Sequence, residues 1–281
     1  MTERTRGDLC PGVLRPWPAS DGALVRLRLP GGHISGTTLA SLLDVAETYG
    51  DGRVRLTKRA NLQLRALPLS GTDLLPEAIE AIRATGLLPH PEHELVRNIL
   101  VSPLTSLVGG RADLRPATLE LDERMCATPS LAKLSGRFLF VLDDGRGDLA
   151  GRSTDLGVVA LSSDTVQLRI GSTHWGPVVP LHEAAARLTG LARAFQQVRG
   201  SGDEAAWHVD ELRVPPASQD ADPRALVSSS PPAYGEVAKD VVHLEIEDGV
   251  IDRKLVNTLP EAVVITPWKS LITAYPPPTA G

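Results

Sequence analysis

Apolar and charged positions alternate in two stretches near the start of the chain. Residues 23–29 have the sequence A-L-V-R-L-R-L, in which Arg26 and Arg28 alternate with apolar side chains. Residues 53–65 have the sequence R-V-R-L-T-K-R-A-N-L-Q-L-R, with the same alternation on both sides of a polar interruption at residues 57–61. A period of two is typical of a half-buried strand. The pattern therefore predicts one strand at 23–29 and a strand, turn and strand across 53–65.

Helical periodicity appears in four places. The clearest early case has apolar residues at Leu39, Leu42, Leu43 and Ala46, spaced i, i+3, i+4 and i+7. It predicts a helix from Thr37 or Thr38, as the capping residue, to about residue 49. Further helices are predicted at 76–86, 113–125 and 181–198. Strands are predicted at 136–142, 157–161, 166–170, 175–179, 241–246, 262–266 and 271–272.

These elements indicate an α+β protein made of several parts. We predict a first half-domain at 17–70, a central α/β domain at 71–214, a linker rich in Pro, Ser, Asp and Ala at 215–237, and a shorter second half-domain at 238–275. The second half-domain echoes the first, because T-K-R-A-N at 57–61 compares with T-P-W-K-S at 266–270. A match this short carries weight only together with other observations.

Composition excludes several classes of protein. The chain has 281 residues, 42% of them hydrophobic, and a formal net charge of −5. An acidic protein of this kind is not expected to bind nucleic acid through a general basic surface. There are two cysteines, and no spacing of cysteine or histidine indicates a metal site. Without an apolar leader or membrane-length segment, the expected location is cytoplasmic.

The arginine-rich strands are the main candidate for chemistry. Guanidinium groups bind planar carboxylates through two parallel hydrogen bonds, so several arginines on neighbouring strands suit a ligand with many carboxylates. A solvated strand face is the ordinary alternative for any single basic strand. Two basic strands in one small unit favour an anion-binding surface.

Several motifs occur in order along residues 10–275. They are C-P-G-V-L-R-P, L-V-R-L-R-L-P-G-G, R-L-T-K-R-A-N-L-Q-L-R, V-R-N-I-L, G-R-F-L-F-V-L-D-D-G and I-T-P-W-K-S-L. Together they resemble the nitrite/sulfite reductase superfamily, and within it the precorrin-3B synthase-like proteins. The resemblance implies two ferredoxin-like half-domains that form a pseudo-twofold unit, with the central domain inserted between them in sequence. It also implies a bound tetrapyrrole, usually sirohaem, whose carboxylates are held by basic side chains.

Site residues follow from the resemblance by position. It implies that Arg26 and Arg97 face an anion at the ring, and that Arg137 is the first of two basic residues presented to the substrate. Leu139 stands where the second would be, which disfavours six-electron sulfite reduction. The implied catalytic residues are thus Arg26, Arg97 and Arg137, and the implied cofactor-binding residues are Arg28, Arg55, Thr57, Lys58, Arg59, Asn61, Gln63, Arg65, Asn98, Trp268 and Lys269. His33 and Cys10 are weak candidates for an axial iron ligand.

The family's reductases carry a further C-terminal domain with four cysteines for an iron–sulfur cluster. This sequence ends at Gly281 without that pattern, so no cluster is expected from this chain and a redox partner or subunit is expected to supply one. The first hypothesis is a precorrin-3B synthase-like oxidoreductase of cobalamin biosynthesis. The alternatives are a cluster-free haem, sirohaem or other tetrapyrrole binder without catalysis, and a partner-binding remnant of the reductase scaffold.

Overall fold

The computed structural model describes residues 8–212 and 217–274 and has the α+β fold that the sequence predicts. The helices in these ranges are α1 (Gly36–Tyr49), α2 (Pro76–Ala84), α3 (Arg115–Cys126), α4 (Ala184–Val198) and α5 (Arg253–Val256). The strands are β1 (Trp17–Ala19), β2 (Gly22–Leu27), β3 (His33–Ser35), β4 (Val54–Leu56), β5 (Leu62–Leu67), β6 (Leu69–Ser70), β7 (Asp73–Leu74), β8 (Ile99–Val101), β9 (Phe140–Asp143), β10 (Leu156–Ala160), β11 (Thr165–Ile170), β12 (His174–Pro180), β13 (Gly235–Ala238), β14 (Val241–Leu244), β15 (Val250–Ile251), β16 (Ala262–Ile265) and β17 (Leu271–Ala274). No helix in the described ranges has both the length and the apolar character needed to span a bilayer.

The described chain forms two compact units. The paired unit contains residues 10–95 and 232–274, and the middle unit contains residues 8–9 and 96–231 apart from 213–216. Sequence analysis placed the corresponding boundaries at 70/71, 214/215 and 237/238. The first boundary lies later in the structure because α2 packs against α1, which keeps residues 71–95 with the first half-domain.

The paired unit contains two five-stranded sheets with matching strand orders. One has the order β1-β2-β5-β4-β15 and the other has the order β13-β14-β17-β16-β3. In each sheet the last edge strand comes from the other half of the unit, since β15 pairs with β4 and β3 pairs with β16. This reciprocal exchange gives the two halves the same topology. The predicted pseudo-twofold pair of half-domains is therefore confirmed, whereas the exchanged strands β3 and β15 were not predicted.

Polar contacts at the helix ends link the two halves of the paired unit. Helix α1 is capped by Ser35, whose hydroxyl oxygen accepts a hydrogen bond from the backbone N–H of Thr38 at 2.9 Å. The prediction of Thr37 or Thr38 as the cap was thus wrong by two or three residues. Thr37 instead donates through its hydroxyl to Glu261 of the second half at 2.9 Å. In return, Arg253 at the start of α5 forms an ion pair with Glu47 on α1 at 2.7 Å.

The connection between β2 and β3 passes very close to the second half of the paired unit. Gly32 has a positive φ of 76°, and a Cβ added there would collide with the carbonyl oxygen of Ile265 at the end of β16. The equivalent connection between β14 and β15 contains Gly249, with φ of 67°. A Cβ on Gly249 would lie 2.8 Å from the Cβ of Lys269. Both connections therefore require a residue without a side chain.

The middle unit is a mixed sheet with the order β12-β11-β10-β9-β8. Strands β8, β9 and β10 are parallel, and β11 and β12 are antiparallel to their neighbours. Helices α3 and α4 pack on each other. Phe138 and Phe195 meet at a ring-centroid distance of 5.1 Å and are buried together with Phe140.

Much of the predicted linker is packed on the middle unit. The buried side-chain amide of Gln167 on β11 donates to the Asp220 carbonyl at 2.9 Å and accepts from the Asp222 N–H at 2.8 Å. Ala225 joins a small apolar cluster with Val159 and Leu161. These contacts satisfy backbone groups that a free linker would leave to water, which explains why residues 217–231 belong to this unit.

A glycine pair tests the tight approach between the half-domains. Gly32 and Gly86 have almost the same φ, 76° and 78°, but a Cβ on Gly86 meets no heavy atom of the described chain within 4 Å. We expect Gly86→Ala to lower the free energy of unfolding by about 1 kcal/mol, the cost of a left-handed alanine. Gly32→Ala should cost roughly 1–3 kcal/mol more through the collision with Ile265. Urea unfolding of both variants measures the difference, and equal losses would contradict the close approach.

Candidate functional site

Two hairpin turns in the paired unit share one backbone structure. The first turn (residues 57–61) joins β4 to β5, and the second turn (residues 266–270) joins β16 to β17. In the first turn the Thr57 N–H donates to the Asn61 carbonyl at 3.0 Å, and in the second the Thr266 N–H donates to the Ser270 carbonyl at 3.0 Å. Their fourth residues, Ala60 and Lys269, have positive φ of 54° and 60°. The faint repeat in the sequence is therefore a true structural repeat.

The threonine that opens each turn fixes its shape. The Thr57 hydroxyl oxygen accepts the Asn61 N–H at 3.1 Å. The Thr266 hydroxyl oxygen accepts the N–H groups of Ser270 at 3.3 Å and of Trp268 at 3.2 Å. Such side-chain bonds to nearby N–H groups are typical of Ser and Thr turns. They explain why the two turns share the threonine at the first position although their other four residues differ.

Residues of both turns lie around Gly32. A Cβ at Gly32 would be 3.5 Å from the Cβ of Ala60 in the first turn, and its closest contact is Ile265, which directly precedes the second turn. The structure therefore brings Lys58 and Arg59 of one half and Trp268 and Lys269 of the other to neighbouring turns of one unit.

A row of polar side chains crosses the first sheet beside the first turn. Arg26 on β2 lies opposite Gln63 on β5, and Gln63 lies opposite Arg55 on β4. The residues that alternate with them, such as Val25 and Leu64, are fully buried on the other face. The strand pattern thus places these three predicted site residues side by side, as the sequence indicated.

Two arginines of this sheet already have acidic partners. Arg55 forms a two-point ion pair with Asp51, with Nη1 and Oδ1 at 3.0 Å. Arg65 contacts Asp21 at 3.2 Å, and this hydrogen bond lowers the pKa of the Asp21 carboxyl. Both pairs are partly exposed, so each contributes little to stability. They do reduce the positive charge that Arg55 and Arg65 offer to a ligand.

Arg26 is the member of the row with unused donor capacity. Its Nε is buried without a hydrogen-bond partner, and among the described residues its side chain makes no ion pair. A buried donor without an acceptor costs free energy, about 1–3 kcal/mol. An anionic ligand beside β2 would remove that cost.

Arg28 is a buried cation next to this position. Its side chain is 3% exposed, and its Nη1 donates to the carbonyl of Pro11 and, at 2.9 Å, to that of Arg26. Burial, together with the charges of Arg26 and Arg59, lowers the pKa of Arg28 to about 10. Arg28 thus ties the C-P-G segment to β2 and adds positive potential, while its depth makes it a poor direct contact for a ligand.

The loop that follows the C-P-G segment is held in place by Glu94. Glu94 is buried and accepts the N–H groups of Val13 at 2.6 Å and Leu14 at 3.0 Å. Burial raises the pKa of the Glu94 carboxyl. A Cβ on Gly12 would collide with the Glu94 carboxylate, which explains the glycine.

The remaining three predicted site residues belong to the middle unit. Arg97 is 8% exposed and forms a two-point ion pair with Asp122 on α3, at 2.8 and 2.6 Å. Asn98 is 2% exposed and donates to the Gly136 carbonyl at 3.1 Å. Arg137 is exposed, with its guanidinium 5.4 Å from the centre of the Trp207 ring. Arg97 and Asn98 thus have structural partners within this unit, which their local sequence did not reveal.

An acidic loop follows β9 in the middle unit. Residues 143–145 do not form a hairpin turn, because β9 and the next strand, β10, are parallel. Asp143, Asp144 and Asp148 are buried there, with carboxylate oxygens within 4.8 Å of one another. Asp143 accepts three backbone N–H groups and Asp144 is paired with Arg146 at 3.0 Å. These bonds account for two of the three carboxylates.

Asp148 is the third carboxyl group of the acidic loop. Its Oδ1 accepts from the Ser102 hydroxyl at 2.7 Å, while its Oδ2 is buried without a hydrogen-bond partner. Burial and the charges of Asp143 and Asp144 raise the pKa of Asp148 to about 7. A proton on Asp148 near neutrality therefore neutralises part of the buried charge.

Sequence reasoning missed a buried pair in the second half-domain. His243 on β14 and Ser270 in the second turn are 1% and 0% exposed, and their side chains meet at 2.7 Å. The internal repeat could have indicated this pair. His243 pairs with Ile272 on β17 as Arg26 pairs with Gln63 on β5, so His243 occupies the position that Arg26 has in the first half.

Comparison with protein families identifies the first half of the paired unit. The nitrite/sulfite reductase ferredoxin-like half domain matches residues 18–82. The match extends into α2, in agreement with the packing of that helix.

Characterised proteins are similar over larger parts of the chain. A precorrin-3B synthase from Sinorhizobium sp is 31% identical over 163 residues, which cover 56% of this chain and 33% of that protein. A ferredoxin–nitrite reductase from Synechococcus elongatus is 28% identical over 217 residues, which cover 68% of this chain and 42% of that protein. The chain thus spans less than half the length of these relatives.

The fold is also similar to a solved structure. The NirA protein of Mycobacterium tuberculosis superposes on 91% of this chain with a TM-score of 0.68 and 17% sequence identity, and the match covers 54% of that protein. At this identity the likeness establishes the fold alone.

The titration of Asp148 gives a prediction for Asp148→Asn. Between its ordinary pKa of 3.8 and about 7, the folded carboxyl holds a proton that the unfolded one has lost. The wild type therefore loses stability as pH rises through this window, while the amide variant does not titrate. We expect the free energy of unfolding of Asp148→Asn, relative to wild type, to increase by roughly 1–3 kcal/mol from pH 4 to pH 8.

Urea unfolding at the two pH values measures this difference. Glu123→Gln on the exposed face of α3 is the control for loss of one carboxylate in the same unit. A stability difference between Asp148→Asn and wild type that is flat across the range would mean that Asp148 titrates normally.

Proposed function

We propose, because the chain belongs to the nitrite/sulfite reductase superfamily, that it binds a carboxylate-rich tetrapyrrole and acts as a precorrin-3B synthase-like oxidoreductase of cobalamin-type biosynthesis. The observation that supports this most directly is Arg26, whose buried Nε has no hydrogen-bond partner. It lies beside Arg28, and the charges of Arg26 and Arg59 both act on that buried guanidinium. The unpartnered Nε of Arg26 adds a donor with positive charge at this place, which favours an anion.

The side chains at the two turns suit a flat ligand with acidic groups at its rim. Arg26, Arg59 and Lys269 would bind carboxylates, since each carries a positive charge at or beside the two turns. Gln63 would donate to a carboxylate from the centre of the row, between Arg26 and Arg55. Trp268 is half-buried in the second turn and would pack against the face of the ring.

The bound tetrapyrrole would be the substrate or a sirohaem-type cofactor. As a substrate, it would undergo the oxidation that the precorrin-3B synthase resemblance implies, an oxygen-dependent hydroxylation with lactone formation. The two cysteines of the chain lie in different units, so neither unit contains the thiolates of a cluster. We therefore propose that a partner subunit or redox protein supplies the electrons. Arg97, Asn98 and Arg137 of the middle unit remain predicted site residues.

The second candidate function is tetrapyrrole binding without catalysis. It is favoured by the ion pairs of Arg55 and Arg97 with Asp51 and Asp122, which use two of the predicted cations for internal contacts. The absorption spectrum of the purified protein separates the candidates. A Soret band with iron but without labile sulfide supports a cluster-free haem protein, whereas a colourless protein that takes up a metal-free precorrin supports a substrate site. Uptake of neither would leave a partner-binding scaffold.

Charge-removing variants test the proposed binding residues. We expect Arg26→Gln and Arg59→Gln each to weaken binding of uroporphyrin III, an octacarboxylate tetrapyrrole, by about tenfold, because a charge-assisted hydrogen bond contributes roughly 1.5–3 kcal/mol. Fluorescence titration of the porphyrin measures the dissociation constants.

The control is Arg83→Gln on α2, which removes the same charge from an exposed position of the same unit. Its affinity should stay within about twofold of wild type, in line with screening of distant surface charges. The assignment of the site to the paired turns fails if all three variants bind equally well, or if wild type binds none of the porphyrin.

A further inference from the structure

The His243–Ser270 pair belongs to a chain of hydrogen bonds that ends at the second turn. His243 Nδ1 lies 3.0 Å from the Pro232 carbonyl oxygen, and its Nε2 lies 2.7 Å from the Ser270 hydroxyl. That hydroxyl lies 2.5 Å from the hydroxyl of Thr266. Thr266 in turn accepts the backbone N–H of Trp268 at 3.2 Å. The three side chains that these hydrogen bonds connect are each 1% exposed or less.

The direction of every bond in the chain follows from its first member. A carbonyl oxygen only accepts, so His243 must carry its proton on Nδ1. In the neutral ring Nε2 is then an acceptor, and the Ser270 O–H must donate to it. The Ser270 oxygen is left to accept from the Thr266 O–H, because Thr266 already accepts backbone N–H groups. One arrangement of hydrogens therefore satisfies the whole chain.

Aromatic rings enclose the imidazole. The rings of Tyr234 and Trp268 lie 4.7 and 6.1 Å from it between centroids. The groups packed against the imidazole from the neighbouring segments are Tyr234, Ser270, Thr266 and Trp268, none of which carries a carboxylate, an ammonium or a guanidinium group. The backbone positions opposite His243 are Gly235 on β13 and Ile272 on β17. The imidazole thus has no carboxylate among these neighbours to stabilise a positive charge.

The same place in the first half-domain has different chemistry. Arg26 takes the position of His243, and Asn61 takes the position of Ser270. The side-chain oxygen of Asn61 accepts the Leu29 N–H at 2.9 Å, so this side chain binds the backbone directly. The second turn depends instead on a relay through an imidazole.

We propose that His243 and Ser270 are positioning residues for Trp268 and Lys269, and that a proton on His243 weakens ligand binding by displacing the second turn. The proposal rests on the proposed function, because Trp268 and Lys269 are taken as ligand contacts. A proton at Nε2 would make that nitrogen a donor and force the Ser270 O–H to turn toward Thr266. The Thr266 O–H would then lose its acceptor inside a fully buried site, which is costly. Moving the turn is the way to relieve that cost.

The titration range is consistent with this role. Burial lowers the pKa of His243 below its ordinary 6.5, against a smaller opposite effect of the Pro232 and Ala233 carbonyls. The neutral ring is therefore the form present at pH 7.5. Below about pH 6.5 the unfolded protein binds a proton that the native state resists, so stability as well as the turn geometry declines as the pH falls.

Nuclear magnetic resonance of the wild type tests the relay without any variant. We expect the Nδ1–H tautomer for His243 at pH 7.5, and a shift of the Trp268 indole signal, assigned with Trp268→Phe, that follows the titration of His243. The Nε2–H tautomer, or an indole signal unchanged through that titration, would overturn the proposal.

Binding of uroporphyrin III to Ser270→Ala tests the link to the ligand. This variant breaks the relay but leaves both proposed contacts in place, and His90→Gln, at an exposed histidine of the same unit, is the control. We expect Ser270→Ala to bind about fivefold or more weakly at pH 7.5 and to lose the further decline that wild type and His90→Gln show at pH 5.5. Wild-type affinity in a folded Ser270→Ala protein would overturn the inference and leave the proposed function standing. A wild type that binds no porphyrin would instead overturn the proposed function and the ligand-binding part of this inference together.

Discussion

The structure depends on the exchange of edge strands between its two half-domains. Each sheet of the paired unit is completed by a strand from the other half, β15 in one and β3 in the other. The exchange requires the chain to pass close to the opposite half, and Gly32 and Gly249 mark these approaches. Since both turns lie next to them, the geometry of the candidate site follows from how the sheets are completed.

Within this shared frame the two halves have diverged in chemistry. The Thr57 and Thr266 bonds and the positive φ at the fourth position are the same in both turns, because they make the turn. The adjoining strand position is free to differ, and it carries Arg26 in one half and His243 in the other. One half therefore places a cation at this strand position, and the other places a buried neutral imidazole beside the ring of Trp268. A flat ring with acidic groups at its rim requires both kinds of contact.

The sequence predicted the parts that depend on local periodicity. The buried positions of α1 and the two-residue alternation of β2 and β5 are set by neighbours along the chain, so pattern alone located them. It missed β3 and β15, since strands of two or three residues hold their place only through pairing with a distant partner. For the same reason it gave Arg97 no structural role, because its partner Asp122 lies 25 residues further along the chain. Periodicity cannot indicate which arginines are already paired.

Pairing is also what decides which arginine of the basic row can bind a ligand. Asp51 lies four residues before Arg55, and Asp21 lies in the turn before β2, opposite Arg65. Arg26 faces Gln63 instead, which offers a neutral amide where a carboxylate would have neutralised it. A glutamate at position 63 would keep the fold, because the side chain is half-buried on the outer face. Its carboxylate would, however, form ion pairs with the arginines of the row. The binding capacity of the sheet thus depends less on how many arginines it carries than on the one position where an acidic partner is absent.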